Sequence, residues 1–175
     1  TYVSATHASC DDIPMRQMLL ENLIEEERGA DNHPELWLRF AESMGASKEE
    51  VHQHKALPKT QQSVRILKQL AQSENTEVGM AALYAYESQI PEVSTTKIDG
   101  LKKFYDINDE RSLSFFTVHE EADVLHSAMT RQAMEQLCDS PEKEARALQA
   151  AEVAADALNL LLDGVVEAHC SGMAA

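Results

Sequence analysis

Hydrophobic residues recur at three- and four-residue intervals along almost the whole chain. That is the spacing of one face of an α-helix rather than the alternation of a strand. Asp12-Ile13-Pro14, a cap with an early proline, precedes apolar positions at Met15, Met18, Leu19, Leu20, Leu23 and Ile24 and a stop at Gly29. Asn32-His33-Pro34-Glu35 opens a second helix through Trp37, Phe40 and Met44 to Gly45. Ser47-Lys48-Glu49-Glu50 has the form of a capping box and starts a short third helix. A fourth follows Pro58, with Val64, Leu67 and Leu70 inward. Thr76 to Tyr105 reads as one long helix interrupted near Pro91. Thr117-Val118-His119-Glu120 reads as a second capping box, ahead of a helix reaching Cys138. Ser140-Pro141-Glu142 opens a last, Ala/Leu-rich helix ending near Gly172. There is no sustained alternation, repeat or linker. The pattern predicts an all-α fold, a compact bundle of about seven helices forming one domain over residues 1–175.

Composition narrows the function classes. Gly (6) and Pro (5) are too scarce for a sandwich or barrel with many tight turns. Thirty acidic residues against 15 basic ones give a net charge of -15, which excludes a basic nucleic-acid footprint and disfavours an anionic membrane surface. No apolar run approaches the roughly 20 residues of a membrane span, and no signal peptide is visible. The three cysteines, Cys10, Cys138 and Cys170, are far apart and form no CxxC, so neither a disulfide framework nor a thiolate zinc site is expected. A cytoplasmic protein is the expectation.

The candidate chemistry lies in histidines and carboxylates. His119, Asp123 and His126 fall at i, i+4 and i+7, about 0°, 40° and -20° around a helix. A stripe of two imidazoles and a carboxylate suits Fe, Mn or Zn. About 0.05 matches to this spacing are expected by chance at the chain's His and acidic frequencies, so the motif is informative. It borders an apolar stripe of Val118, Ala122, Leu125 and Met129, and the alternative is a solvated face with two surface histidines. Glu26 and His33 stand seven apart, a spacing that chance also supplies. Glu87 interrupts the apolar stretch Leu83-Tyr84-Ala85-Tyr86, where a buried carboxylate needs a salt bridge or a metal. Pro91 has no N–H for the carbonyl of Glu87, so a kink is expected beside it. Together these residues offer three imidazoles and three carboxylates, enough for two transition metals.

The pattern Glu26-x6-His33, Glu87, His119-x3-Asp123-x2-His126 resembles the ligand set of the heme-oxygenase-like dimetal oxidases, which share their fold with TenA and PqqC. Within that group the chain is most similar to the CADD-like proteins. The similarity is carried by Leu20 to Glu27, Asn32 to Trp37, Ala82 to Glu92 with Thr96-Lys97, and Phe116 to Asp123. The resemblance implies metal ligands at Glu26, His33, Glu87, His119, Asp123 and His126. It implies two metal ions, Fe/Fe or Mn/Fe, with O₂ as co-substrate and an external reductant. It implies oxygen-dependent production of p-aminobenzoate for folate synthesis from a self-sacrificed tyrosine. Lys97 then matches the proposed amino donor, and Tyr86 a tyrosine next to the site. Phe115 occupies a position where some relatives carry tyrosine. A heme-oxygenase-like bundle lacking its N-terminal helices is expected, with the donor tyrosine in the missing part.

Three alternatives remain on these residues. One is an oxidase of the same fold acting on a free small molecule. Another is a non-enzymatic interaction protein using its acidic helical surface. The third, a thiamin hydrolase of the TenA type, needs a cavity cysteine, and Cys138 lies twelve residues past His126. A homodimer is expected, with no nucleic-acid or membrane partner; a protein partner is the weaker expectation. His7, His52, His54 and His169 are expected outside the site.

Overall fold

The computed structural model describes residues 2–170, the side chain of Glu121 excepted. Among them there are nine helices: α1 Tyr2–Ser9, α2 Ile13–Glu27, α3 His33–Ser43, α4 Lys48–Gln53, α5 Pro58–Ala71, α6 Thr76–Glu87, α7 Ile90–Tyr105, α8 Glu110–Leu137 and α9 Pro141–His169. The count exceeds seven for two reasons. The chain is already helical at Tyr2, and the interruption near Pro91 is a full break, with Ser88 and Gln89 between α6 and α7. The expected end of the last helix near Gly172 lies outside the described residues.

The helix starts follow local chemistry. Asp12, Asn32, Ser47 and Ser140 each accept a hydrogen bond from a backbone N–H of the first turn they precede. Ser47 and Glu50 complete a reciprocal capping box. Gly29 and Gly45 have φ of 86° and 89°, the left-handed conformation that lets the chain leave α2 and α3 sharply. The second sequence-predicted capping box is not a cap. Asp109 caps α8 through the N–H of Ser112, and Thr117 lies inside the helix, its hydroxyl donating to the Leu113 carbonyl.

α9 carries buried Ala147, Ala150, Ala154 and Ala157 on one stripe, so it packs closely on α5 and α6. At Gly164 an added Cβ would sit 2.8 Å from the Lys59 Cβ, and the glycine permits that approach. Arg146 of α9 reaches the buried Glu77 of α6, with Nη2 2.6 Å from Oε1, joining the two helices by a charge pair. α8 packs against α7, α3 and α6, and α2 lies beside α3 and α1. Val3, Cys10, Met15, Leu19, Met80, Leu83 and Ala133 form the core shared by α1, α2, α6 and α8. Arg16 ties α1 to α2 by donating to the carbonyls of His7 and Cys10. No described helix is long and apolar enough to cross a membrane.

This packing turns a polar stripe of α8 inward. His119, Asp123, His126 and Thr130 are buried, whereas Val118, Leu125 and Met129 of the neighbouring apolar stripe are 38%, 60% and 37% exposed. The reading of a solvated histidine face is thus excluded.

Candidate metal centre

Glu26 stands in the last turn of α2 and His33 is the first residue of α3. The connection reverses at Gly29 and is locked by Asn32 Nδ2 donating to the Gly29 carbonyl and Arg39 donating to the Ala30 carbonyl. This brings His33 Nδ1 to 2.9 Å from Glu26 Oε1. The contact lacks the alignment of an N–H donor, and His33 Nδ1 is buried with no hydrogen-bond partner. Opposite them, the His119 ring lies 4.3 Å from the His33 ring, centroid to centroid. His119 Nδ1 is 2.6 Å from the Phe115 carbonyl. A carbonyl only accepts, so Nδ1 carries the proton and Nε2 is left with its lone pair. Glu26, His33 and His119 each offer a donor atom, and these lie within 4.8 Å of one another.

Glu87 ends α6, where the break before α7 leaves its carboxylate facing α2 and α8. Its Oε1 accepts from Asn22 Nδ2 at 3.1 Å, and its buried Oε2 has no partner. Burial pushes Glu87 up to about 7, assisted by the Asp123 charge, while the Asn22 hydrogen bond works against the rise. His126 Nε2 lies 3.0 Å from Glu25 Oε2 and its Nδ1 3.4 Å from Asp123 Oδ1. The hydrogen bond with Asp123 raises the His126 pKa, with a further contribution from Glu25.

Two cavities flank these groups. The larger, about 470 Å³, is lined by Glu26, His33, His119 and Asp123 together with Tyr2, Trp37, Lys68, Tyr86 and Phe115. The smaller, about 270 Å³, is lined by Asn22, Glu25 and His126 with Met18, Leu125 and Met129. Glu87 and Leu83 line both. All six predicted ligands therefore line one cavity or the other. Tyr86 lines the larger one, and burial with the nearby Glu26 and Asp123 charges pushes its phenol up to about 12. The Phe115 ring sits between His119 and Trp37, tilted against the first and edge-on to the second, with centroids 4.3 and 4.9 Å away.

Other positions depart from expectation. Lys97 is exposed on α7 and is not part of either cavity wall; the lysine that lines the larger cavity is Lys68. Asn22 and Glu25 hold predicted ligands and went unnoticed in the sequence. A regular α2 helix places Asn22 one turn before Glu26 on the same face, which is the signal that was available for it. Cys138 lines a separate groove of α6, α8 and α9, and His7, His52, His54 and His169 line neither cavity.

The donor set fits a metal cofactor. A buried imidazole nitrogen and a carboxylate oxygen face each other without a shared proton, His119 is fixed in the ligating tautomer, and Glu87 keeps one buried oxygen unpaired. A cation satisfies all three.

Comparison with known proteins gives the chain's family and fold. The sequence model of a family described as iron-containing redox enzymes matches residues 1–159. A protein of Nitrosomonas europaea named 4-aminobenzoate synthase is 42% identical over 182 residues, spanning 99% of this chain and 74% of that protein. A Chlamydia pneumoniae protein of the same name is 40% identical over 157 residues, covering 90% of this chain and 69% of the relative. The crystal structure of a TenA homolog from Pseudomonas syringae superposes with a TM-score of 0.81 over 95% of this chain and 72% of its own. At 18% identity it shares the fold.

Proposed function

The chain belongs to the family of iron-containing redox enzymes, and from that membership we propose that it is an oxygen-dependent dimetal oxygenase producing 4-aminobenzoate. The observation that carries the reading is the cluster of half-buried Glu26 with buried His33 and His119, with Glu87, Asp123 and His126 beside it, in a chain over 40% identical to a named synthase. Glu26, His33 and His119 would hold one metal and Glu87, Asp123 and His126 the second, as Fe/Fe or Mn/Fe. The pair, kept reduced by an external donor, would supply the redox chemistry that consumes O₂.

The protein's own residues do the rest. Phe115 fixes the His119 ring through its carbonyl and its face. Asn22 orients Glu87, leaving the second carboxylate oxygen free to ligate. Trp37, Phe115 and Tyr86 wall the larger cavity with aromatic surface. The carbon skeleton comes, on this proposal, from a tyrosine of the protein, and the nitrogen from Lys97. Lys97 stands outside the cavity wall, so its amine must reach the cavity for this step.

The test uses protein grown with ¹⁵N-lysine or ¹³C-tyrosine, reconstituted with Fe(II) or Mn(II)/Fe(II) without oxygen and then exposed to O₂. Labelled 4-aminobenzoate in both preparations supports the proposal. Unlabelled product made only when a small aromatic substrate is added supports an oxidase of the same fold acting on a free molecule, a reading favoured by the size of the cavity.

A further inference from the structure

The carboxylates lining the larger cavity, Glu26, Glu87 and Asp123, all belong to the candidate ligand set. The smaller cavity is lined by two that do not, Glu21 and Glu25. They stand four apart in α2, on one face of the helix, and both are exposed. Glu25 Oε2 lies 3.0 Å from Nε2 of the buried His126. Asn22 and Glu87 also line this cavity and are only 6% and 5% exposed. Asn22 Oδ1 and Glu87 Oε2 are buried oxygens without a hydrogen-bond partner. The smaller cavity thus runs from exposed carboxylates at its rim to unpaired oxygens and an imidazole inside. No lysine or arginine is among its lining residues, whereas Lys68 lines the larger cavity. Glu87 lines both and so connects them.

From this arrangement we propose that the smaller cavity is the route by which a divalent transition-metal cation enters the centre, captured by Glu21 and Glu25 and received by His126 and Glu87. The proposal rests on the two-metal reading and concerns two residues which that reading does not use as ligands. Carboxylates set in a cleft with apolar walls, here Met18, Leu19, Leu83, Leu125 and Met129, focus a negative potential and raise the local concentration of cations. Exposed carboxylates also let the ion exchange its waters in stages, oxygen donors first and the imidazole next. A cation drawn to Glu25 competes directly with the contact that occupies His126. Glu87, with its unpaired oxygen and its place on both cavity walls, can then pass the ion toward Glu26, His33 and His119.

The experiment mixes metal-free protein with Co(II) in the absence of oxygen and follows the visible bands of bound Co(II) by stopped flow, so uptake is read without activity. Glu21→Gln is expected to load about threefold more slowly than the parent protein, and Glu21→Lys about tenfold, both to the same final Co(II) content. Glu25→Gln is expected to load more slowly even though its second position ends up binding more tightly. Glu152→Gln, exposed on α9, removes one charge far from the route and is expected to leave the rate unchanged. Lys68→Gln is expected to do the same, because the larger cavity is not the way in. Thermal unfolding of each metal-free variant checks that it is folded, as exposure of these positions predicts. Parent-like loading in both Glu21 variants overturns the route. Equal slowing in Glu152→Gln overturns it too, since the effect is then one of net charge, as does several-fold faster loading in Lys68→Gln. Parent protein that takes up no Co(II) contradicts the two-metal centre and the route with it. Full uptake at rates indifferent to Glu21 contradicts the route alone.

Discussion

On one side of the centre, Glu26, His33 and His119 present donor atoms within 4.8 Å of one another, and the buried His33 Nδ1 has no hydrogen-bond partner. On the other, His126 is engaged at both ring nitrogens by Glu25 and Asp123, and Glu87 is held by Asn22. The first group is a gap shaped for a cation. In the second, one Glu87 oxygen is also free, but His126 is bound at both nitrogens to protein carboxylates, which a metal must displace before it can bind. Local backbone explains part of the contrast. His33 and Glu26 face each other because a locked turn joins α2 to α3, whereas Glu87 and His126 come from helices far apart in sequence. The comparison implies sequential loading, with the Glu26–His33–His119 position filling first.

The largest effect tests the first group. His119→Ala is expected to reduce bound Fe(II) from about two ions per chain to fewer than one, because the pre-arranged position is lost. Elemental analysis after anaerobic reconstitution checks it, and retention of two ions breaks the comparison. His126→Ala is expected to remove about one ion and leave the other bound. Equal losses in both variants would show that the two positions fill together.

An intermediate effect concerns the proton on Glu87. In the metal-free protein, burial raises Glu87 from 4.5 to about 7. A folded-state pKa above the unfolded value means that its contribution to stability is fully present below pH 4.5 and is lost as pH rises through about 7. His126, also raised, acts in the same direction above its ordinary 6.5. Metal-free protein is therefore expected to lose up to about 3 kcal/mol of stability at Glu87 over that interval. Urea unfolding across the interval measures it, and Glu87→Gln should flatten most of the slope. Metal loading should oppose the loss, because the cation favours the ionised carboxylate.

The smallest effect separates the groups at Glu25. This carboxylate is half exposed, so its pairing with His126 is worth about 0.2–1 kcal/mol. Glu25→Gln is expected to tighten the second metal about two- to fivefold with no change in the first. A loss of the second metal would instead identify Glu25 as a ligand.

Much of the architecture was legible because helix starts are local. Asp12, Asn32, Ser47 and Ser140 announce them with side chains that satisfy nearby N–H groups. Thr117 misled for the same reason. The motif is local, but Asp109 had already started the helix eight residues earlier, and inside it Thr117 bonds back to Leu113. The six candidate ligands were legible from spacing and resemblance, and all six line the two cavities. Which face of α8 is buried was not. Val118, Leu125 and Met129 are the more hydrophobic stripe, yet tertiary packing places His119, Asp123 and His126 inside. A hydrophobic pattern ranks faces by solvent preference and cannot see that a polar stripe is needed within.

The central claim is a two-metal centre held by these six side chains. Anomalous scattering at the Fe and Mn absorption edges, from crystals of protein reconstituted without oxygen, tests it most directly. The account predicts two peaks, one among Glu26, His33 and His119 and one among Glu87, Asp123 and His126, with the first at higher occupancy under limiting metal. No peak, or peaks away from these residues, would contradict it.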